Sequence, residues 1–143
     1  MNNEGAETWS PYDIVGHFIH GEKTDWIPRL EIILSDTQDK RFVPFDRFAQ
    51  FRESKGKSAR ELITEFGLLR KKNVETLKSR NLTEADFSKK GIHPAFGEVT
   101  LSQLLSAWVV HDLDHIAQIA RVMAKQYTVA VGKWVEFLPV LTR

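Results

Sequence analysis

The chain has 143 residues, 42% of them hydrophobic and including nine Phe and four Trp, enough apolar side chain for one domain spanning residues 1–143. Twenty basic residues against nineteen acidic ones leave a formal charge of +1, so composition gives no case for nucleic acid or a membrane surface as partner. The absence of cysteine excludes disulfides, thiolate metal sites and a cysteine nucleophile. Residues Met1 to Thr8 lack the charged and apolar regions of a signal peptide, and no apolar run of about 18 residues is available to span a bilayer. The expected setting is cytoplasmic.

Four capping signatures divide the chain. Ser10-Pro11-Tyr12-Asp13 offers an N-cap serine, proline at the first helical position and an acid at the third. It predicts a helix to about Leu34 carrying Ile14, Phe18, Trp26, Leu30 and Ile33, kinked or divided by Pro28. Ser35 to Lys57 is a long connection with Phe42, Phe45, Phe48 and Phe51 at a period of three. Phe45 to Phe51 is expected as a short amphipathic helix or 3₁₀ piece over the core, with part of the series able to wall a pocket. Ser58-Ala59-Arg60-Glu61 caps a second helix to about Arg80, whose Arg70-Lys71-Lys72 and Lys78-Ser79-Arg80 read as a solvated face.

Thr83-Glu84-Ala85-Asp86 starts a short helical turn expected to close at Gly91, and Gly91 to Gly97 reads as a rigid turn region. No alternating strand pattern is visible. Thr100-Leu101-Ser102-Gln103 caps a long helix expected to persist to about Gln126. Beyond it, Val129 to Val140 is too apolar to float free.

That last helix carries the most informative feature, His111 and His115. Their spacing of four stacks both rings on one helix face. Counting in sevens from Leu101 reaches Trp108, His115 and Val122, and counting from Leu104 reaches His111 and Gln118, so both imidazoles lie on the packing stripe. A polar ring buried there unpaired costs about 1–3 kcal/mol. It is satisfied either by ordinary hydrogen bonds to Asp112, Asp114 or Gln118, or by a divalent cation shared between the rings.

A third ligand would come from His17, His20 or His93. His93 precedes a proline in a loop and reads as a turn residue. His20 could share the face of His17. Gly21, one turn after His17, removes bulk beside that ring. The geometric hypothesis is that His17 faces His111 and His115 across a helix contact, against the plainer reading of an interface histidine. Three histidines leave coordination positions open, as a catalytic site needs, and suit Zn, Ni, Fe or Mn.

Trp9-Ser10 opening a helix with His17 seven residues on, followed by a final helix with His-x-x-x-His, resembles the DinB/YfiT superfamily of metal-binding four-helix bundles. The likeness extends from about Trp9 to Tyr127 and takes in Glu22, Asp25-Trp26-Ile27-Pro28-Arg29, Pro44-Phe45-Asp46 and Gly97-Glu98-Val99-Thr100-Leu101. It implies an all-α up-and-down bundle, with a divalent metal (Zn or Ni first, Fe or Mn also suited) held by His17, His111 and His115. It also implies hydrolase chemistry or transfer to a small thiol such as bacillithiol or mycothiol. Relatives carry a full helix before the Trp-Ser segment, whereas eight residues precede Trp9 here, so the first helix is expected to be reduced or absent. The aromatic loop, the C-terminal tail or a second copy would then cover the uncovered groove, and a homodimer is expected.

Two functions follow. In one, the cation activates water or a thiol for attack on a small-molecule electrophile, with Asp112, Asp114 and Glu22 as candidate proton acceptors. In the other, the metal staples a non-catalytic bundle that acts as a scaffold or dimerisation module.

Overall fold

Ser10 caps the first helix as its sequence predicts, its hydroxyl accepting from the Asp13 N–H while the Asp13 carboxylate accepts from the Ser10 N–H. This computed structural model describes residues 1–143. Helix α1 runs Pro11–Thr24 and α2 runs Trp26–Leu34. The break falls at Asp25, one turn before Pro28. Proline thereby occupies the first turn of α2, where its missing N–H has no intrahelical partner to lose. A short α3, Ala49–Glu53, lies inside the aromatic connection and packs on α1. Gly16 permits that contact, since a Cβ there would stand 2.5 Å from Ser54 Oγ and 2.9 Å from Gln50 Cβ. The Tyr12 hydroxyl ties down the same loop, 2.6 Å from the carbonyls of both Ser54 and Lys57.

Helix α4, Ala59–Ser79, begins at the Ser58–Glu61 capping box, and α5, Leu101–Lys125, at the Thr100–Gln103 box. Between them lies a two-stranded antiparallel hairpin, β1 Lys90–His93 and β2 Gly97–Thr100, where the sequence suggested only a turn. Each strand has four residues, too few to display a period of two against the flanking Gly and Pro. The helical turn from Thr83 is a 3₁₀ segment, Glu84–Ser88, that ends before Gly91. Gly91 instead lies within β1, where a Cβ would sit 2.3 Å from the Phe42 ring. After α5 the chain closes in two 3₁₀ pieces, Gly132–Phe137 and Pro139–Leu141, the second packed on α5.

The core joins α2, the aromatic connection and the first half of α5 through Trp26, Leu30, Ile33, Phe42, Leu101, Leu104 and Trp108. Trp26 and Trp108 stack with ring centroids 5.7 Å apart. Ile14 and Leu62 are sealed with α1 packed along α4. Burying each such aliphatic side chain stabilises the fold by about 1.5–3 kcal/mol. The result is an all-α bundle in which α1 lies against both α4 and α5, and no helix is long and apolar enough to cross a membrane. That arrangement sets the middle of α1 beside the middle of α5, which is where the histidines are.

Candidate metal centre

His17 projects from α1 and His111 and His115 from α5, and the three gather at one point. One ligand nitrogen from each ring lies within 4.8 Å of those of the other two. His17 Nε2 is 3.0 Å from His111 Nε2. Two nitrogens each about 2.1 Å from one cation stand about 3.0–3.4 Å apart for angles of roughly 90–109° at the ion, so this pair is spaced as metal ligands are. His115 Nδ1 is 2.8 Å from Gln118 Oε1. The amide oxygen accepts from Nδ1–H, which fixes the tautomer and leaves the Nε2 lone pair for a ligand.

The other two rings are held by packing. Trp9 and Phe45 flank His17 with centroids 4.9 and 5.2 Å away, and Phe18 and Trp26 meet His111 at 5.8 and 5.2 Å. Neither His17 Nδ1 nor His111 Nδ1 has a hydrogen-bond partner, although both are buried. Burial first, and then the neighbouring His115, hold His17 down to about 3 from an ordinary 6.5. The same two causes in the same order hold His111 at about 4. Both rings are therefore neutral at physiological pH with their lone pairs available, the state that metal ligation requires. The donor set fits a divalent cation of the Zn–Ni–Fe–Mn group, and three ligands leave further positions open.

These rings line a cleft of about 890 Å³. Four of its residues follow at intervals of four along α1 and α2: His17, Gly21, Asp25 and Arg29. Arg29 Nε stands 2.6 Å from Asp25 Oδ1, an ion pair one turn apart whose N–H is poorly aimed, since neither atom completes a hydrogen bond. Burial nevertheless pushes the Asp25 carboxyl above its usual range. Glu4 and Glu7 also line the cleft, but Glu4 is clamped by Arg121 and Lys125, which hold its carboxyl down to about 2. Phe45, Phe48 and Arg47 of the aromatic connection form part of the rim.

The carboxylates singled out from sequence lie elsewhere. Glu22 has a fully buried side chain that accepts from Arg70 and, at 2.9 Å, from Asn73 Nδ2. Arg70 also holds Asp112 through two hydrogen bonds of 2.7 and 3.0 Å and lies over the rings of Phe66 and Trp108. Asp114 is exposed, and none of the three lines the cleft. Arg70 is thus no part of a solvated face, unlike its exposed neighbours Lys71 and Lys72. His20 turns away from the triad to Glu53, its Nδ1 3.2 Å from Oε2. His93 acts in its turn, with Nδ1 accepting from the Ala95 and Phe96 N–H groups, though it also reaches the cleft rim. Asp25 and Arg70 are what the sequence reading missed. The four-residue ladder from His17 through Arg29 was the available signal for Asp25, and the shared face of Phe66, Arg70 and Asn73 the signal for Arg70.

An all-α bundle whose first and last long helices bring three imidazoles into the lining of one cleft defines a class: a helical bundle with a three-histidine group able to hold a metal ion. The chain belongs to the DinB superfamily, whose family model matches residues 3–119. No curated protein matches it in sequence.

Proposed function

We propose that this protein is a cytoplasmic, divalent-metal-dependent enzyme acting on a small-molecule electrophile, either as a hydrolase or as a transferase that uses a small thiol. The observation that carries the reading is the convergence of three imidazoles in the lining of a cleft of about 890 Å³. His17, His111 and His115 would hold the cation, with Zn or Ni favoured by an all-nitrogen set. A cation there would supply Lewis acidity, bringing the pKa of a water toward about 7 or stabilising a thiolate.

The chain itself supplies the surroundings. Gln118 orients His115, and the Trp9 and Phe45 rings shield His17. Asp25 replaces Glu22, Asp112 and Asp114 as proton acceptor in this reading: it lines the cleft, its carboxyl is raised toward the working range, and Arg29 is its neighbour. A thiol nucleophile must come from a cosubstrate, because the chain has none of its own. The cleft also argues against a mere staple, whose cation would be closed in by four protein ligands.

The test is a turnover screen of metal-loaded protein against activated esters, amides and epoxides, with and without a small thiol. Chelation is expected to abolish turnover while far-UV circular dichroism keeps its helical signal. Asp25→Asn is expected to lower turnover about 10²–10⁴-fold at unchanged metal stoichiometry. Helices that melt on chelation, with no turnover in any arm, support the staple instead.

A further inference from the structure

Helix α5 has a second apolar stripe that faces away from its buried one. Val109, Leu113, Ile116, Ala120, Met123 and Tyr127 are separated by four and three residues alternately, the spacing of a helix-pairing seam. The large ones are all open: Val109 60%, Leu113 60%, Ile116 56%, Met123 57% and Tyr127 64% exposed. Solvent-facing helix residues are ordinarily polar, and this seam contains no charge along its whole length. Beside it, an apolar hollow of about 540 Å³ lies between α1, α4 and α5, with Val15, Leu62, Ile63, Ile119 and Met123 in its lining. Neither the aromatic connection nor the C-terminal tail fills it, since none of their residues is part of that lining.

We propose that the seam is the interface of a homodimer, in which α5 of a second copy lies along α5 and beside α4, completing a four-helix arrangement across a two-fold axis. The reason to assign a second copy is self-complementarity. In a two-fold interface the same patch meets itself, so a charged seam would oppose like charges, and an uncharged one does not. Ala117, Ala120 and Ala124 on this side let two backbones approach closely. Trp134 and Phe137 of the C-terminal tail are exposed as well, at 71% and 74%. An uncharged, exposed apolar seam running from Val109 to Tyr127 marks an association site rather than ordinary monomer surface.

Light scattering on the eluting peak of a sizing column tests the assignment. The wild-type chain is expected at twice its 16.5 kDa mass. Leu113→Glu and Ile116→Glu change residues already exposed in the protomer, so each is expected to keep its helical circular dichroism and to weaken the dimer roughly 100-fold or more. Since the chain has no cysteine, Leu113→Cys, Ile116→Cys and Ala120→Cys each introduce a unique thiol. At least one is expected to form a covalent dimer under mild oxidation, and Lys71→Cys, on the exposed side of α4, is not. A wild-type peak at the mass of one chain overturns the proposal. So does a dimer that both glutamate variants leave intact, or a cysteine series that never crosslinks along the seam.

Discussion

His17 Nε2 and His111 Nε2 lie 3.0 Å apart although 94 residues separate them in the chain. No helix–helix packing requirement calls for that approach. Two apolar side chains would fill the same space without leaving two Nδ1 atoms buried and unpartnered, at about 1–3 kcal/mol each. A fold that retains this arrangement keeps it for a ligand.

Gln118 supports the site without touching its cation. Replacing Gln118 by Leu removes the acceptor at His115 Nδ1, frees the ring's tautomer and is expected to weaken metal affinity about 10–100-fold while leaving the stoichiometry unchanged. Competition with a chromophoric chelator measures it. An unchanged affinity contradicts the orientation assigned to His115.

Stability of the metal-free protein should depend on pH through the same rings. Folded His17 and His111 stay neutral down to about 3 and about 4, whereas unfolded histidines take up protons from about 6.5. Between those limits the unfolded chain binds more protons, so stability is full above 6.5 and falls as pH drops toward 4. The slope approaches about 1.4 kcal/mol per pH unit for each ring, with His111, the less buried of the two, contributing less. Urea midpoints at pH 7 and pH 5 check this; equal midpoints would show that the rings are not buried neutral.

Arg70 is the keystone between α1, α4 and α5. Its replacement by Met would leave Glu22, whose side chain has no exposed surface, and Asp112 without their cation. The expected loss is about 3–5 kcal/mol of unfolding free energy, measured by urea denaturation. Double replacement with Glu22→Gln should recover part of it, because the uncompensated buried charge is then gone.

Two glycines of α1 should respond oppositely to alanine. At Gly16 the new Cβ would strike Ser54 and Gln50, and a loss of about 1–3 kcal/mol is expected. At Gly21 the nearest atom, Trp26 Nε1, lies at an ordinary 3.5 Å, so helix propensity decides and a gain of about 0.5–1 kcal/mol is expected. Thermal melts of the two variants distinguish them by sign.

Much of this molecule could be read before its structure was known, and the reasons are local. The capping boxes at Ser10, Ser58 and Thr100 are contained within four residues each, and all three form. The stripe from Leu101 to Val122 turned its histidines inward because α5 is long enough to display its period. What escaped were features set by chain crossings. The hairpin is buttressed by Phe42, which packs on Gly91 forty-nine residues away and bonds the Ile92 carbonyl from its own N–H. Arg70 looked like one of a run of cations because nothing within α4 reveals that Glu22 and Asp112 converge on it. Asp25 escaped because a four-residue ladder from His17 marks a packing face as readily as a site, and only the cleft shows which it is.

Calorimetric titration of metal-free protein with Zn²⁺ or Ni²⁺, set beside the variants His17→Ala, His111→Ala and His115→Ala, tests the central claim most directly. The wild-type chain is expected to bind one ion per protomer, with each single substitution abolishing that tight binding while the helical circular dichroism persists. Full stoichiometry and affinity retained in any one of the three variants would remove that ring from the site and contradict the three-histidine centre.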